Sequence, residues 1–481
     1  MQPPGLTRRA FLKTAAGAGA VLVLPGAALG CATSTRTPGA AVDDPWAVME
    51  QILARIRPPV FPDRDFDVTA FGGVGDGAAD CTGAFRQAVE ACAAAGGGRV
   101  VVPPGRFLTG PIRLLSGVNL HVSEGATVAF RREPEAYLPP VFTRWEGVEV
   151  MNYSPLIYAF EQENVAVTGR GTLDGQADDV YWWPWKGREE YGWSPGGVHQ
   201  QEGRDRLFEM AERGVPVEER VFGEGDYLRP QFIQPYRCRN VLVEGVTITN
   251  SPMWEIHPVL CTNVVVRGVR VVSHGPNNDG CNPESCRDVL IEDCYFDTGD
   301  DCIALKSGRN ADGRRLAAPI ENVVVRGCEM KDGHGGVVIG SEISGGARYV
   351  FAENCRMDSP NLDRALRIKT NSVRGGVVEH VYLRDITVGE VADSVVRVNF
   401  FYEEGAGGDF TPVVRNIEVR NLTCRKTDRA LYLRGYEHSP IRDVRLVDCT
   451  IEEVEKESVV EHVVGLALDN VRVEGRLLTN G

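Results

Sequence analysis

Two tight clusters of acidic side chains carry the first chemical signal, Asn277-Asn278-Asp279-Gly280 and Gly299-Asp300-Asp301. They stand about one turn apart in a chain of short recurring strand patterns. Coils of a strand solenoid stack at roughly 4.8 Å, so Asp279 and Asp300 can converge on one face. Hydrolysis of a glycosidic bond with inversion needs a carboxylic acid for the leaving oxygen and a carboxylate for water, about 6.5 to 9.5 Å apart. Adjacent coils can supply that gap. Asp300 and Asp301 would point to opposite faces of an ideal strand, so both serve one site only where the backbone bends. Gly299 makes a bulge or a strand end the expectation there.

Two further motifs, Gly333-His334-Gly335 and Arg367-Ile368-Lys369, follow at displacements of about 33 residues each. Arg367 and Lys369 share a face of any strand that carries them. A cationic pair beside an acidic cluster would bind a substrate carboxylate, which reconciles an anionic ligand with a net charge of -14 and a pI near 5.2. The same balance, with no basic run interleaved with aromatics, argues against a nucleic-acid partner. Each motif alone has an ordinary reading, as a turn, a solvated loop histidine or a wet strand face. Four of them in register on successive coils are harder to dismiss.

The frame that positions them is a repeat. Units of a polar residue, an alternating Val/Ile run, a Gly, Asn or Asp, and a second short alternation begin at Asn164, Asn240, Asn263, Asp288, Asn322, Tyr349, His380, Asn416 and Asp443. Period-two alternation marks strands, and units of this length stack their apolar faces on one another. The expected fold is all-β, a right-handed parallel β-helix over 61–481; the regular leucine frame of the rival solenoid is missing. An amphipathic stretch from Thr82 to Ala95, ending at Gly96-Gly97-Gly98, predicts a helix that caps the open end. From about Gln176 to Arg229 the repeat breaks and Tyr181, Trp182, Trp183, Trp185, Tyr191 and Trp193 gather. Such an insertion either walls one end of a carbohydrate cleft with aromatic faces or uses them to pack itself onto the barrel.

The first residues read as an address. Thr7-Arg8-Arg9-Ala10-Phe11-Leu12-Lys13 and the apolar stretch Ala15 to Leu29 resemble a bacterial twin-arginine export signal, and 1–31 is assigned to it. The expected partner is the twin-arginine machinery. Ala28-Leu29-Gly30-Cys31 loosely resembles a lipoprotein cleavage box, so periplasmic or extracellular release and lipid anchoring at Cys31 both stay open. Residues 32–60 are assigned to a linker and N-terminal extension. Of thirteen cysteines, Cys294, Cys328, Cys355 and Cys449 recur at one phase of the repeat, which predicts a buried stack rather than a disulfide framework. Cys281 and Cys286 could pair. No subunit partner is called for, and a monomer is expected.

In order, the four motifs resemble those of the polygalacturonase family of glycoside hydrolases, family 28. Phe66-Asp67-Val68-Thr69-Ala70-Phe71-Gly72, Asp76-Gly77 and the run from Asp300 to Gly308 extend the likeness over nearly all of the chain after the signal. Asn278 departs from the Thr usual in endo-acting members, whereas Asn250-Ser251-Pro252 with Trp254 and His257 looks more like the bacterial exo-acting branch. The resemblance implies a single-stranded β-helix that hydrolyses α-1,4-galacturonosidic bonds of pectin, with Asp300 as general acid. Asp279 and Asp301 would activate water, His334 would tune the acid, and Arg367 and Lys369 would grip a galacturonate carboxylate. Asn277, His257 and Tyr402 are further candidate substrate contacts. No cofactor or metal is implied.

Two other classes compete. A β-helix lyase would eliminate rather than hydrolyse, and it wants a calcium cluster; no further acidic cluster is expected in the same register. A glycan-binding module has no reason to concentrate three repelling charges. Within the hydrolases, rhamnogalacturonan or another pectin backbone is the alternative substrate.

Overall fold

The computed structural model describes residues 44–478, so the export segment and Cys31 lie outside the described residues. Strands of each coil hydrogen-bond in parallel to the coils before and after. One ladder runs Val165, Val241, Val264, Val289, Val323, Val350, Val381, Ile417, Val444 and Leu466 as successive partners. All but the last are buried in one continuous core. Period-two alternation produces this, because every second β-branched side chain points inward and stacks on its counterpart a coil away.

The residue that opens each predicted unit sets the phase of the stack. Asn164, Asn240, Asn263, Asp288, Asn322, Tyr349, His380, Asn416 and Asp443 all adopt left-handed backbone, with φ between 54° and 60°. That conformation costs an ordinary residue roughly 1–2 kcal/mol and suits Asn and Asp best. The amides also bond between coils: Asn240 Nδ2 donates to Asn164 Oδ1 at 2.9 Å, and Asn263 Nδ2 to Asn240 Oδ1 at 2.8 Å. Tyr349 and His380 instead stack their rings at 4.8 Å.

Helix α1, Pro45–Arg55, lies in the stretch 32–60 assigned to a linker and N-terminal extension, and from residue 44 on it makes that extension a packed element. Met49, Ile52 and Ile56 pack against the outward-facing Ala166, Leu242, Val265, Leu290, Val324 and Phe351 of successive coils. Asp44 caps the helix through Trp46 N, Pro45 starts it, and Arg55 pairs with Asp288 at 2.7 Å. Helix α2, Thr82–Ala94, is the expected cap; Phe85, Ala88, Val89 and Cys92 enter the core beside Val100 and Val118.

The insertion is ordered and carries helix α3, Gln201–Glu212. Its tryptophans settle the choice left open by the sequence. Trp182 is buried edge-on to Tyr137 and Trp185, and Trp183 Nε1 donates to Ser251 O at 2.9 Å, so these rings hold the insertion on the barrel. The twelve described cysteines are free and buried, Cys281 and Cys286 among them. Cys286 belongs instead to an inter-coil series, with its Sγ accepting from Cys261 N and Cys261 Sγ from Cys238 N.

Candidate active site

Four consecutive coils bring Asp279, Asp300, His334, Arg367 and Lys369 to the wall of one cavity of about 260 Å³. The strand Tyr295–Thr298 ends just before Gly299, as expected, and the chain bends so that Asp300 and Asp301 both turn toward Asp279. A Cβ on residue 299 would lie 2.5 Å from Gly275 O and 2.7 Å from His274 C, so only glycine lets the two acidic coils approach this closely. One oxygen of each aspartate lies within 4.8 Å of the others. The nearest oxygens are thus closer than the gap expected from the sequence.

Each carboxylate has its own surroundings. Asp301 is buried, with Oδ2 accepting from Lys369 Nζ at 2.6 Å and Oδ1 from Arg367 at 3.2 Å. Asp300 Oδ1 meets His334 Nδ1 at 3.0 Å. Burial pushes the Asp300 carboxyl up, but the hydrogen bond and charge of His334, with Lys369 and Arg367, outweigh it and hold the group well below the usual carboxylate range. The same bond and the Asp300 charge lift His334 to about 9. Asp279 accepts from Asn282 Nδ2 at 2.7 Å and lies 3.5 Å from Lys306 Nζ. Burial, then the charge of Asp300, push Asp279 up to about 8. Behind it the fully buried Glu255 is also pushed well up, by burial and by Asp279. The Asp279 and Asp300 carboxyls titrate as a coupled pair, with Asp279 pushed toward holding a shared proton and Asp300 pushed toward losing it.

Of the other expected contacts, Tyr402 lines the cavity with Lys369 Nζ 5.4 Å from its ring centre. Asn277 lines it too, its Oδ1 accepting from Lys186 Nζ at 2.9 Å and Arg229 at 2.8 Å. His257 does not reach the cavity, and the expectation of a substrate contact there is corrected. It is fully buried, 2.8 Å from Glu284 Oε2 and 3.0 Å from Gln234 Nε2, and supports Trp254 edge-on at 4.9 Å. Trp254 takes the cavity wall instead and lies over Lys306 Nζ at 4.4 Å. Asn278 is also fully buried, bonded to Ser251 O, Met253 O, Gly275 N and Ser273 Oγ, so it braces the Asp279 loop rather than facing substrate.

Sequence reading missed several lining groups. Lys306 closes the apolar run Cys302-Ile303-Ala304-Leu305, and a charge at the end of a buried strand was its available signal. Glu146, Arg309 and Glu342 gave none, since Glu146 arrives from a distant segment and the other two follow the motifs without a pattern, joining as a charge network: Arg204–Glu146 at 2.9 Å, Lys306–Glu342 at 3.1 Å and Arg309–Glu342 at 3.2 Å. From the insertion come Lys186, Arg188, Tyr191 and Arg204, so what it adds to the cavity is mostly charge and only one aromatic ring. A second acidic group also exists, contrary to expectation: His274, Asp297 and Asp332 approach within 4.8 Å of one another. The Asp279 trio has the spacing of a metal site as well, but Lys369, Arg367 and Lys306 already occupy that charge.

The profile of glycosyl hydrolases family 28 matches residues 224–468. The chain belongs to this family. Like the structure titled a hyperthermoactive exopolygalacturonase from Thermotoga maritima, this family 28 chain is a right-handed parallel β-helix; the two share 49% identity over 90% of this chain and 97% of the other, with a TM-score of 0.88. A probable polygalacturonase of Vitis vinifera is 29% identical over 79% of this chain and 73% of its own length. An exo-poly-alpha-D-galacturonosidase of Dickeya chrysanthemi is 25% identical over 74% of this chain and 62% of its own. Membership makes this family 28 protein a glycoside hydrolase.

Proposed function

We propose that the protein is an exo-acting polygalacturonase that releases short saturated products from the end of a polygalacturonate chain, with inversion. The observation that carries this is the cavity itself, where Asp279, Asp300, His334, Arg367 and Lys369 share one wall with Lys186, Arg188, Tyr191 and Arg204 of the insertion, and buried Asp301 is held by Lys369 and Arg367. An endo enzyme needs a groove open at both ends, whereas here the insertion adds four residues to the cavity wall.

The chemistry follows from the charges. A galacturonate carboxylate entering at Arg367 and Lys369 neutralises two of the cations that hold Asp300 down. The proton affinity of Asp300 then rises above that of Asp279, and the shared proton moves between them over less than 4.8 Å. Asp300 delivers it to the glycosidic oxygen as that bond breaks. Asp279, now a carboxylate, and Asp301 take a proton from the water that attacks the anomeric carbon. The proton taken from water restores Asp279, while protonated His334 keeps its hydrogen bond to Asp300.

The test is a product profile by mass spectrometry with polygalacturonic acid, and proton NMR of the new anomer. Saturated monomer or dimer from the first minutes, released as the β anomer, supports the reading. A ladder of oligomers overturns the exo mode, unsaturated ends point to a lyase, and the α anomer overturns inversion. Export by the twin-arginine route completes the proposal, carried by residues 7–31; cell fractionation of the wild type against Cys31→Ser separates lipid anchoring from release.

A further inference from the structure

Asn277 presents one amide oxygen to two cations. Lys186 Nζ donates to it at 2.9 Å and Arg229 at 2.8 Å. Arg229 is fully buried and spends its remaining donors on Pro252 O, Pro276 O and Gln200 Oε1. Among the described residues no carboxylate comes within ion-pair distance of either. The nearest acidic influence is Glu146, which Arg204 already pairs at 2.9 Å, followed for Lys186 by Asp300. An amide oxygen carries only a partial charge, so two full charges remain largely uncompensated in a poorly solvated place. Burial accordingly lowers the proton affinity of Lys186 and brings Arg229 down to about 10.

The position of this excess charge along the solenoid is informative. Lys186 lines the cavity and bonds to the coil of Asn277 and Asp279, whereas Arg367 and Lys369 belong to a coil on the far side of Asp300 and His334. The acid thus has a cationic grip on each side. One grip belongs to the insertion, and the other to the barrel strand Arg364–Lys369. A chain of uronic acids carries one carboxylate per sugar, so two grips flanking the reacting bond match two neighbouring residues.

We propose that Lys186, held by Asn277 and backed by Arg229, binds the C6 carboxylate of the terminal sugar on the insertion side of the cavity and makes the enzyme selective for an unesterified uronic acid there. This rests on the exo-hydrolase reading, and it assigns to the insertion a chemical selection in addition to a steric block. Lys186 is a specificity residue; it takes no part in proton transfer.

The experiment compares digalacturonate with the same disaccharide methyl-esterified only at its non-reducing end. A charge-assisted hydrogen bond in a desolvated site is worth a preference of about 10- to 100-fold in kcat/KM for the free acid. Lys186→Met is expected to abolish that preference by losing activity on the acid alone, and Lys186→Arg is expected to restore part of it. Equal losses on acid and ester, or an unchanged preference, overturn the proposal. Titration of the inert Asp300→Asn protein with both disaccharides gives the same comparison by binding, with and without Lys186→Met. If the wild type cleaves neither compound, the hydrolase reading fails while the binding arm still decides the grip: equal affinity for acid and ester sinks it.

Discussion

Lys369 Nζ lies 2.6 Å from Asp301 Oδ2 while Arg367 reaches the other oxygen of the same carboxylate at 3.2 Å. The pair reads as a substrate grip from the sequence, yet in the free protein it is engaged by a catalytic candidate. Substrate and Asp301 must therefore share these cations. Lys369→Met removes one of them and leaves a buried carboxylate half-paired, so kcat/KM on digalacturonate should drop about 10²- to 10³-fold with both KM and kcat affected. A change in KM alone would mean that the Asp301 contact has no part in turnover.

Asp300 and His334 form a second unit, 3.0 Å apart, that carries a proton at neutral pH because the His334 imidazole is lifted to about 9. That proton is present below about 9 and lost above it, so activity should begin to fall near 8, where Asp279 loses the proton the reaction uses, and fall further through about 9. His334→Ala should cut kcat by about 10²-fold or more, and Asp300→Asn by about 10³-fold with digalacturonate binding retained. A pH–rate profile that is flat to pH 10 would show that neither the Asp279 proton nor the His334 charge is needed for turnover.

Asp279 and Glu255 bear on stability in the opposite sense from most acids. Their carboxyls hold protons more tightly in the folded protein than in the unfolded chain, so the native state binds more protons and loses stability as pH rises. For Asp279 the window runs from the unfolded value near 4 to about 8. Asp279→Asn should therefore raise the melting temperature at pH 8 by the equivalent of about 1 kcal/mol or more, and change it little near pH 4. Equal shifts at both pH values would show that ionisation is not the cause.

Helix α1 offers a test of the barrel flank. Met49 is fully buried against the outer faces of successive coils, so Met49→Ala should cost about 2–5 kcal/mol by chemical denaturation. A negligible loss would mean that α1 contributes little to the folded state. Activity per folded molecule should not change.

The repeat and the catalytic trio were legible because both have a period. Nine unit starts stand out as polar residues before alternating runs, and each proves to be a left-handed corner. Asp279, Asp300, His334, Arg367 and Lys369 were readable for the same reason, since residues one turn apart along a solenoid, here 21, 34 and 33 positions, become neighbours across it. The failures are aperiodic. Helix α1 hid in a segment read as linker, because its apolar residues fit grooves made by outward side chains of several coils. Trp254 lines the cavity where His257 was expected, since nothing in a non-repeating loop says which neighbour reaches it. Glu146, Lys186 and Arg204 join the site from about 90 or more residues away or from an insertion, where charge gave no pattern to follow.

The left-handed corners also explain how the site can change while the barrel does not. Between Asn240 and Asn263 a turn of the chain takes 23 residues, and between Asn164 and Asn240 it takes 76, yet the side chains at these corners still meet at 2.8 and 2.9 Å. Each corner resets the count, so a turn can lengthen on its far side without passing an error to the next. Loops that choose a substrate are thereby uncoupled from the scaffold that presents the aspartates. A lineage can exchange one insertion for another, and with it one specificity for another, while inheriting the reaction unchanged.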